Sequence, residues 1–282
     1  GTASAFNTGV NTRIGVINFA ADQGPEACKT PEKLPRTFAE IARAQGMGLG
    51  IVTTTRITHA TPAAVYGHVP SRDWEGADRA YPAAARASGC PDLAAQLVAF
   101  KGGFDVALGG GGARFLPAGK GGTRDDGRNL IEEWSKATNG RFVSDAKGLR
   151  ALASRDTAPV LGLFNADHIS FEHDRKDDAE PGLPEMARFA LAKLEAGKAE
   201  RGGKGYYLMI EGGRIDHGHH GSNPYRALKE AQMFSATVAE VLKTVNLDET
   251  LVLVTADHSH VLTIAGYPER GNDILGYIKP PK

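Results

Sequence analysis

Short apolar runs rich in β-forming residues recur along the chain, and each is followed by glycine or a polar cluster. The runs are Arg13–Phe19, Gly48–Thr53, Val106–Leu108, Val160–Phe164, Tyr206–Ile210 and Thr250–Thr255. Most are apolar at nearly every position, which is typical of strands buried on both faces of a parallel sheet. The pattern therefore predicts a buried, mostly parallel sheet.

Stretches with helical composition lie between these runs. They are Thr37–Gln45, Pro62–Gly67, Leu183–Glu195 and Pro224–Val245. The last two place apolar residues three to four positions apart, and Thr61 could cap the helix that Pro62 opens. The alternation predicts an α/β fold, with a mostly parallel central sheet flanked by helices on both faces. Since no repeat or linker is visible, residues 1–282 are expected to form a single domain.

Composition narrows the function. The 282 residues carry 33 basic and 33 acidic side chains, so the formal net charge is zero. General nucleic-acid binding requires a basic face and is not expected, although a small phosphate pocket remains compatible. No window of 18 apolar residues predicts a membrane span. The chain begins with Gly1 and not with Met, so the absence of a signal peptide from this sequence gives no information about the location of the protein.

The chain has two cysteines, Cys28 and Cys90. Their spacing fits no zinc-ribbon pattern. Two interpretations stay open from the residues alone: a pair of buried free thiols, or one structural disulfide formed in an oxidising compartment.

Ligand-binding residues of α/β sheets gather at the carboxyl ends of strands. Five of the nine histidines lie just after two apolar runs: His217, His219, His220, His258 and His260. Aspartates accompany them at positions 216 and 257, and neutral imidazole with carboxylate oxygen is a ligand set for zinc. The two segments therefore predict a zinc site at the edge of the sheet.

Spacing separates the candidate ligands. Asp216 and His220 are four residues apart and would share one face of a helix, whereas His219 would not. Adjacent Asp257 and His258 can reach one ion only from irregular backbone. A third segment adds Thr61, whose hydroxyl suits magnesium, as does the Glu211 carboxylate. Taken alone, Thr61 is also explained as a helix cap.

Arg72 follows in the same segment and could grip an anion with two parallel hydrogen bonds. Taken alone, it is equally explained as a surface charge. The glycine run at positions 109–112 is a weak signal, because the Lys-Ser/Thr of a phosphate-binding loop is absent.

These segments resemble the alkaline phosphatases, phosphomonoesterases with two zinc ions and one magnesium ion. The matching motifs are residues 58–64 (Thr-His-Ala-Thr-Pro-Ala-Ala), 108–111 (Leu-Gly-Gly-Gly), 160–164 (Val-Leu-Gly-Leu-Phe), 211–220 (Glu-Gly-Gly-Arg-Ile-Asp-His-Gly-His-His) and 254–260 (Val-Thr-Ala-Asp-His-Ser-His). They follow the family's order and span nearly the whole chain, and the last two strings are the specific ones.

The resemblance implies a role for each motif residue. Asp216 and His220 would bind the first zinc, Asp257 and His258 the second zinc, and Thr61 and Glu211 the magnesium. Arg72 would clamp the substrate phosphate, while His59 and His217 stand at substrate-binding positions where some members have Asp and Lys. The resemblance also implies a disulfide between Cys28 and Cys90.

The family's nucleophile is a serine, and the resemblance places it two positions before Gly1. Ser4 falls three positions beyond Gly1 and has no ligand role. A further aspartate is expected upstream and a last zinc-binding histidine downstream, so the chain is expected to be incomplete at both ends and inactive alone. The resemblance further implies small phosphorylated substrates, a homodimer and a periplasmic or extracellular location.

Three other functions stay open. One is a phosphodiesterase, phosphomutase or sulfatase on the same scaffold, against which the 211–220 string argues. The second is a catalytically silent protein that binds metal or phosphate and lacks the serine. The third is a dinucleotide-binding protein built on the 109–112 glycine run, which would bind no zinc.

Overall fold

The computed structural model describes residues 1–87, 89–154, 156–263 and 266–276. The strands are β1 (Gly48–Arg56), β2 (Val106–Gly110), β3 (Arg141–Val143), β4 (Val160–Leu163) and β5 (Tyr206–Glu211). The helices are α1 (Thr2–Thr8), α2 (Phe38–Ala44), α3 (Ala60–Ala63), α4 (Ala83–Ala87), α5 (Leu93–Ala99), α6 (Leu130–Thr138), α7 (Ala146–Ala151), α8 (Leu183–Ala196), α9 (Arg214–His220) and α10 (Pro224–Thr244). Short 3₁₀ turns cover Pro25–Lys29, Pro31–Lys33, Gly112–Phe115 and Ala118–Lys120.

The five strands form one parallel sheet in the order β3-β4-β2-β1-β5. β1 lies between β2 and β5, with Gly50 opposite Val106 and Thr53 opposite Glu211. This arrangement confirms the predicted parallel sheet. It also brings the carboxyl ends of the strands to one edge, where the candidate ligands are expected.

Two apolar cores cover the two faces of the sheet. Leu49 and Ile51 of β1 pack into a core with residues of α2, α5 and α6, while Val52 points into a second core with α7 and α8. Burying one such side chain contributes about 1.5–3 kcal/mol. Helices therefore lie on both faces, as predicted, and the alternating side chains of β1 are buried on both sides.

Helix α2 shows how the sequence sets a boundary. The Thr37 hydroxyl accepts a hydrogen bond from the Glu40 amide at 3.1 Å, and the Glu40 carboxylate accepts one from the Thr37 amide at 2.7 Å. This reciprocal capping box satisfies amides that have no partner inside the helix. The predicted helix is confirmed, with Thr37 as its cap.

Two predicted strands are wrong. Residues 13–19 form a loop, and their β pairing in the described structure is limited to one antiparallel bridge, between Ile17 and Val69. Asn18 has a φ of 56°, a left-handed conformation that ends any extended run. Its side-chain amide donates to the Ala64 and Gly67 carbonyls, both at 2.8 Å, so this segment anchors the turn after α3 instead of joining the sheet.

Residues 250–255 are the second exception: they form no strand, and Leu251 and Leu253 are 82% and 79% exposed. In the described part of the chain no strand pairs with the outer edge of β5. Residues 250–255 and β5 instead line the same cleft, of about 2200 Å³. The segment has a β-forming composition, but a strand exists only when a neighbour pairs with its backbone.

Two smaller elements also differ from the prediction. Helix α3 begins at Ala60 and is only four residues long, so Thr61 lies inside it and not at its cap. His59 takes the cap position without a side-chain hydrogen bond. Strand β3 has three residues, too few to form a recognisable apolar run.

Cys28 and Cys90 form a disulfide, with Cα atoms 5.1 Å apart, which confirms the pairing implied by the resemblance. The bond spans 62 residues, and closing a loop of this length lowers the entropy of the unfolded chain, which corresponds to about 4 kcal/mol of stabilisation at 25 °C. None of the helices described here is both long and apolar enough to cross a bilayer.

Candidate metal and phosphate site

The carboxyl ends of β1 and β5 bring the first candidate pair together. Glu211 ends β5 directly opposite Thr53, and its Oε2 accepts hydrogen bonds from the hydroxyls of Thr53 at 2.6 Å and Thr55 at 3.2 Å. The Thr61 hydroxyl is close enough to this carboxylate to lower its pKa. Thr61 and Glu211, predicted as one oxygen-rich site, therefore meet.

Burial raises the pKa of the Glu211 carboxyl, the threonine hydroxyls lower it, and the nearby charge of Asp257 raises it further. The net shift is upward. The described residues offer this carboxylate hydroxyls and no direct cationic partner. A bound cation would relieve the desolvation cost, which fits a hard metal ion coordinated by oxygen.

Helix α9 carries the second pair. Asp216 and His220 lie one turn apart, with His220 Nε2 at 3.4 Å from Asp216 Oδ2, as their spacing predicted. The other carboxylate oxygen, Asp216 Oδ1, is buried without a hydrogen-bond partner. His258 Nε2 and His260 Nε2 approach that orphaned oxygen to 3.8 and 3.9 Å.

Asp257 and His258 form the third pair, on irregular backbone as expected, with Nε2 and Oδ2 3.4 Å apart. The His258 ring donates to the Ser259 carbonyl; this bond and the Asp257 charge raise the pKa of His258. We call Asp216, His220, Asp257, His258 and His260 the aspartate–histidine cluster.

Ligand atoms of Asp216, His220 and His260 all lie within 4.8 Å of one another. Three imidazoles and two carboxylates, with one buried oxygen unpartnered, are a donor set suited to zinc.

His59, His168 and His217 form a second group of histidines. The rings of His59, His168 and His217 have centroids 4.4 to 5.4 Å apart. Burial, followed by a neighbouring arginine in each case, lowers the pKa of His59 to about 4, of His168 to about 2 and of His217 to about 4. All three rings are therefore neutral at pH 7.

Each ring of this group contacts its own arginine. Arg72 Nη2 is 3.0 Å from His59 Nε2, Arg56 Nη1 is 2.7 Å from His168 Nε2, and Arg214 Nη1 is 2.9 Å from His217 Nδ1. We call these six residues the arginine–histidine cluster. Arg56 alone among the three arginines has carboxylate partners in the described structure, Glu75 at 2.6 Å and Asp167 at 2.5 Å.

The glycine run at the end of β2 allows the loop that carries His168 to pack closely beside this cluster. A Cβ on Gly110 would lie 2.2 Å from the Asp167 carbonyl, so only glycine permits the approach. Gly111, with a φ of 94°, donates its amide to the carbonyls of Asn165 and Asp167. The run therefore packs one loop against another and is not a nucleotide cradle.

The aspartate–histidine cluster lines one cleft together with His59, Arg72 and His217 of the arginine–histidine cluster. Gly1, Thr61 and Glu211 line the same cleft. All nine residues predicted to bind metal or substrate line this cleft, Arg72 among them. His219, which is predicted to lie outside the ligand set, donates to the Ile215 carbonyl at 2.9 Å and stacks on His260.

The sequence interpretation missed Arg56, Glu75, His168 and Arg214 as site residues. His168 follows the predicted strand at Val160–Phe164, so the strand-end rule could have found it. Arg56 ends β1 and Arg214 opens α9, yet neither carries a spacing signal. Their contacts depend on the order of the strands, which a single sequence does not give.

The sequence model of the family described as alkaline phosphatase matches residues 1–280. The chain belongs to the alkaline phosphatase family. It is 36% identical to the membrane-bound alkaline phosphatase of Bombyx mori, over 99% of this chain and 52% of that protein. It is 35% identical to the tissue-nonspecific alkaline phosphatase of Homo sapiens, over 98% of this chain and 55% of that protein.

Solved alkaline phosphatases share the fold. The crystal structure of the Thermus thermophilus alkaline phosphatase superposes with a TM-score of 0.64 at 30% identity, over 86% of this chain and 43% of that one. The chain thus spans about half the length of the curated alkaline phosphatases that it matches. The resemblance of the sequence motifs and the predicted α/β fold are both confirmed.

Proposed function

We propose that the protein hydrolyses phosphate monoesters through a phosphoserine intermediate, at a site with two zinc ions and one magnesium ion. The observation that carries this proposal is the pairing of the two clusters in one cleft. One cluster offers carboxylates and imidazoles to cations, and the other offers the Arg72 guanidinium to an anion. A phosphoryl group bound between them would be held by both kinds of contact.

In this proposal Asp216 and His220 hold the first zinc, Asp257 and His258 the second, and Thr61 with Glu211 the magnesium. The orphaned Asp216 Oδ1 and the donor set support this assignment. Metals held by these residues would supply Lewis-acid stabilisation of the attacking and leaving oxygens.

Arg72 binds the non-bridging phosphate oxygens in this proposal. Its guanidinium has no carboxylate partner in the described residues, is exposed to the cleft and is held by His59 at 3.0 Å. Two parallel N–H donors match a phosphate edge. Because the phosphate provides most of the grip, the site should discriminate poorly between alcohols, and small phosphorylated compounds are its substrates.

Ser4 does not serve as the nucleophile. It is 2% exposed, and its hydroxyl accepts a hydrogen bond from the Asn18 amide at 3.1 Å. The resemblance places the serine two positions before Gly1, and Gly1 itself lines the cleft beside the metal ligands. We therefore place the nucleophile in chain that precedes residue 1, and assign the 282 residues the metal and phosphate contacts.

The test compares two forms of the protein, both loaded with Zn²⁺ and Mg²⁺. The form translated from the codons upstream of Gly1 should hydrolyse p-nitrophenyl phosphate and yield a phosphoenzyme after acid quench, and Asp257→Asn should abolish both. The 282 residues alone should yield neither. A metal-loaded longer form with no turnover would contradict the proposal.

The same assay separates the alternatives. Faster turnover of bis-p-nitrophenyl phosphate would indicate a phosphodiesterase on this scaffold. If the upstream codons specify no serine, the second candidate is favoured, a silent metal- or phosphate-binding protein. Ser4 could not replace the missing nucleophile, because it is buried.

We also propose a periplasmic or extracellular location and a homodimer. The Cys28–Cys90 disulfide supports an oxidising compartment. The dimer rests on the family resemblance, and sedimentation equilibrium of the protein at micromolar concentration would test it.

A further inference from the structure

Three neutral imidazoles close together are an obvious site for a transition metal, but the arginine–histidine cluster does not fit one. Every ring faces a guanidinium, and guanidinium is a donor that cannot accept a hydrogen bond. Two of these arginines, Arg72 and Arg214, have no ion-pair partner among the described residues. The local charge is positive, so a cation would be repelled.

At His217, the donor-only character of arginine decides which ring nitrogen carries the proton. Arg214 Nη1 lies 2.9 Å from His217 Nδ1, so Nδ1 must accept and the proton of the neutral ring must be on Nε2. His219, two residues further along α9, shows the opposite case. Its Nδ1 faces the Ile215 carbonyl at 2.9 Å, an acceptor, so its proton must be on Nδ1.

Arg214 is fixed in place by contacts that do not involve His217. Its guanidinium stacks on the Phe171 ring, 3.8 Å from the centroid, and its backbone amide donates to the Thr54 hydroxyl at 3.3 Å. The Arg214 Nε atom is buried without a partner. Arg214 and His217 are three residues apart on α9 and so share a face of the helix.

We propose that Arg214 is a positioning residue that locks His217 in the Nε2-protonated tautomer, so that this ring presents an N–H donor to an oxyanion bound in the cleft. His217 lines that cleft with Arg72. Without the guanidinium, the ring could place its unprotonated nitrogen toward the oxyanion and repel it. The link to an oxyanion rests on the proposed function, whereas the tautomer itself does not.

The structure supplies a matched control. Arg226 also stacks on Phe171, at 4.7 Å, and pairs with Asp174, but has no contact with His217. Arg214→Met keeps an apolar stem on Phe171 and removes the donor. Arg226→Met makes the same change on the same ring without touching the tautomer contact. Arg214→Lys restores a donor without the planar group.

The decisive measurement is ¹⁵N NMR of the imidazole rings at pH 7 in the metal-free 282-residue chain, with peaks assigned through His217→Gln and His219→Gln. His217 should show a protonated Nε2 and His219 a protonated Nδ1. Arg214→Met should shift His217 towards a mixture of tautomers, Arg214→Lys should partly restore it, and Arg226→Met should leave it unchanged. Protonated Nδ1 in wild-type His217, or equal effects of the two methionine variants, would overturn the lock.

A second measurement tests the consequence for binding. Calorimetry with inorganic phosphate and the zinc-loaded chain should give about 3- to 10-fold weaker binding for Arg214→Met and less than 2-fold change for Arg226→Met. Equal phosphate affinity in wild type and Arg214→Met would refute the positioning role. Failure of wild type to bind phosphate would contradict the proposed function instead, and the NMR result would still decide the tautomer.

Discussion

Histidines have opposite electrostatic surroundings in the two clusters of this site. In the aspartate–histidine cluster, His220 and His258 face carboxylates at 3.4 Å, and the pKa of His258 is raised. In the arginine–histidine cluster, His59 and His217 face guanidiniums, and their pKa is lowered to about 4. Less than one turn of α9 separates His217 from His220.

The comparison teaches that the neighbours of a histidine, and not its spacing alone, decide what it can bind. An imidazole beside a carboxylate strengthens a site for cations, because the pair already carries negative charge. An imidazole beside a guanidinium belongs to a site for anions. The two clusters therefore divide one cleft into a metal side and a phosphate side.

Removing the carboxylate at the centre of the first cluster should have the largest effect. Asp216→Asn is expected to weaken Zn²⁺ binding by at least about 100-fold, more than the loss of an outer-shell partner usually costs. Calorimetry or Co²⁺ absorption would measure it, with Asp248→Asn, on the exposed surface, as the control. Unchanged affinity would mean that the first cluster is not a metal site.

The second-largest effect should come from the arginine side. Glu75→Gln leaves the Arg56 guanidinium half-buried with only Asp167 as an ionic partner, which should lower the free energy of unfolding by about 2 kcal/mol at pH 7. Urea titration would measure it, with the exposed Glu200→Gln as control.

The loss of stability in Glu75→Gln should depend on pH. Hydrogen bonds from Arg56 and Thr58 outweigh the cost of burial and hold the pKa of Glu75 below its usual 4.5. Its stabilisation is therefore complete above pH 4.5 and is lost as the pH falls through the lower folded-state value. The difference in the free energy of unfolding between wild type and Glu75→Gln should therefore narrow below pH 4.5. A difference that stays constant with pH would show that the charge of Glu75 is not involved.

A smaller effect is expected at the mouth of the cleft. Arg72→Met should weaken binding of inorganic phosphate to the zinc-loaded chain by about 10-fold, since one charge-assisted contact is lost. The exposed Arg79→Met is the matched control and should change affinity less than 2-fold. Equal losses for both variants would mean that phosphate responds to net charge and not to the cluster.

The smallest effect should follow His219→Ala. The His219 ring is committed to the Ile215 carbonyl and to stacking on His260, so Zn²⁺ affinity should fall by less than about 3-fold. The Zn²⁺ calorimetry used for Asp216→Asn would measure this variant as well. A loss of Zn²⁺ affinity above 10-fold would mean that His219 belongs to the metal side of the cleft.

The sequence predicts the sheet well where strands are buried on both faces, because β1, β2 and β4 must then be apolar at nearly every position. Strand β5 is half-buried and is predicted from the same apolar composition. The prediction fails at residues 250–255, where the same composition has no neighbour to pair with. The Asp216–His220 pair was predictable because one helical turn fixes its geometry. The Arg56–His168 contact was not, since it joins residues 112 positions apart through the packing of β1 against the loop after β4.

The open side of β5 has a practical consequence. Its outer backbone amides and carbonyls have no ladder partner among the described residues, and Leu251 and Leu253 lie exposed on the same cleft. An unpaired edge strand of this kind readily pairs with a strand of another molecule. Preparations of these 282 residues should therefore become turbid as they are concentrated, and light scattering during concentration would reveal it.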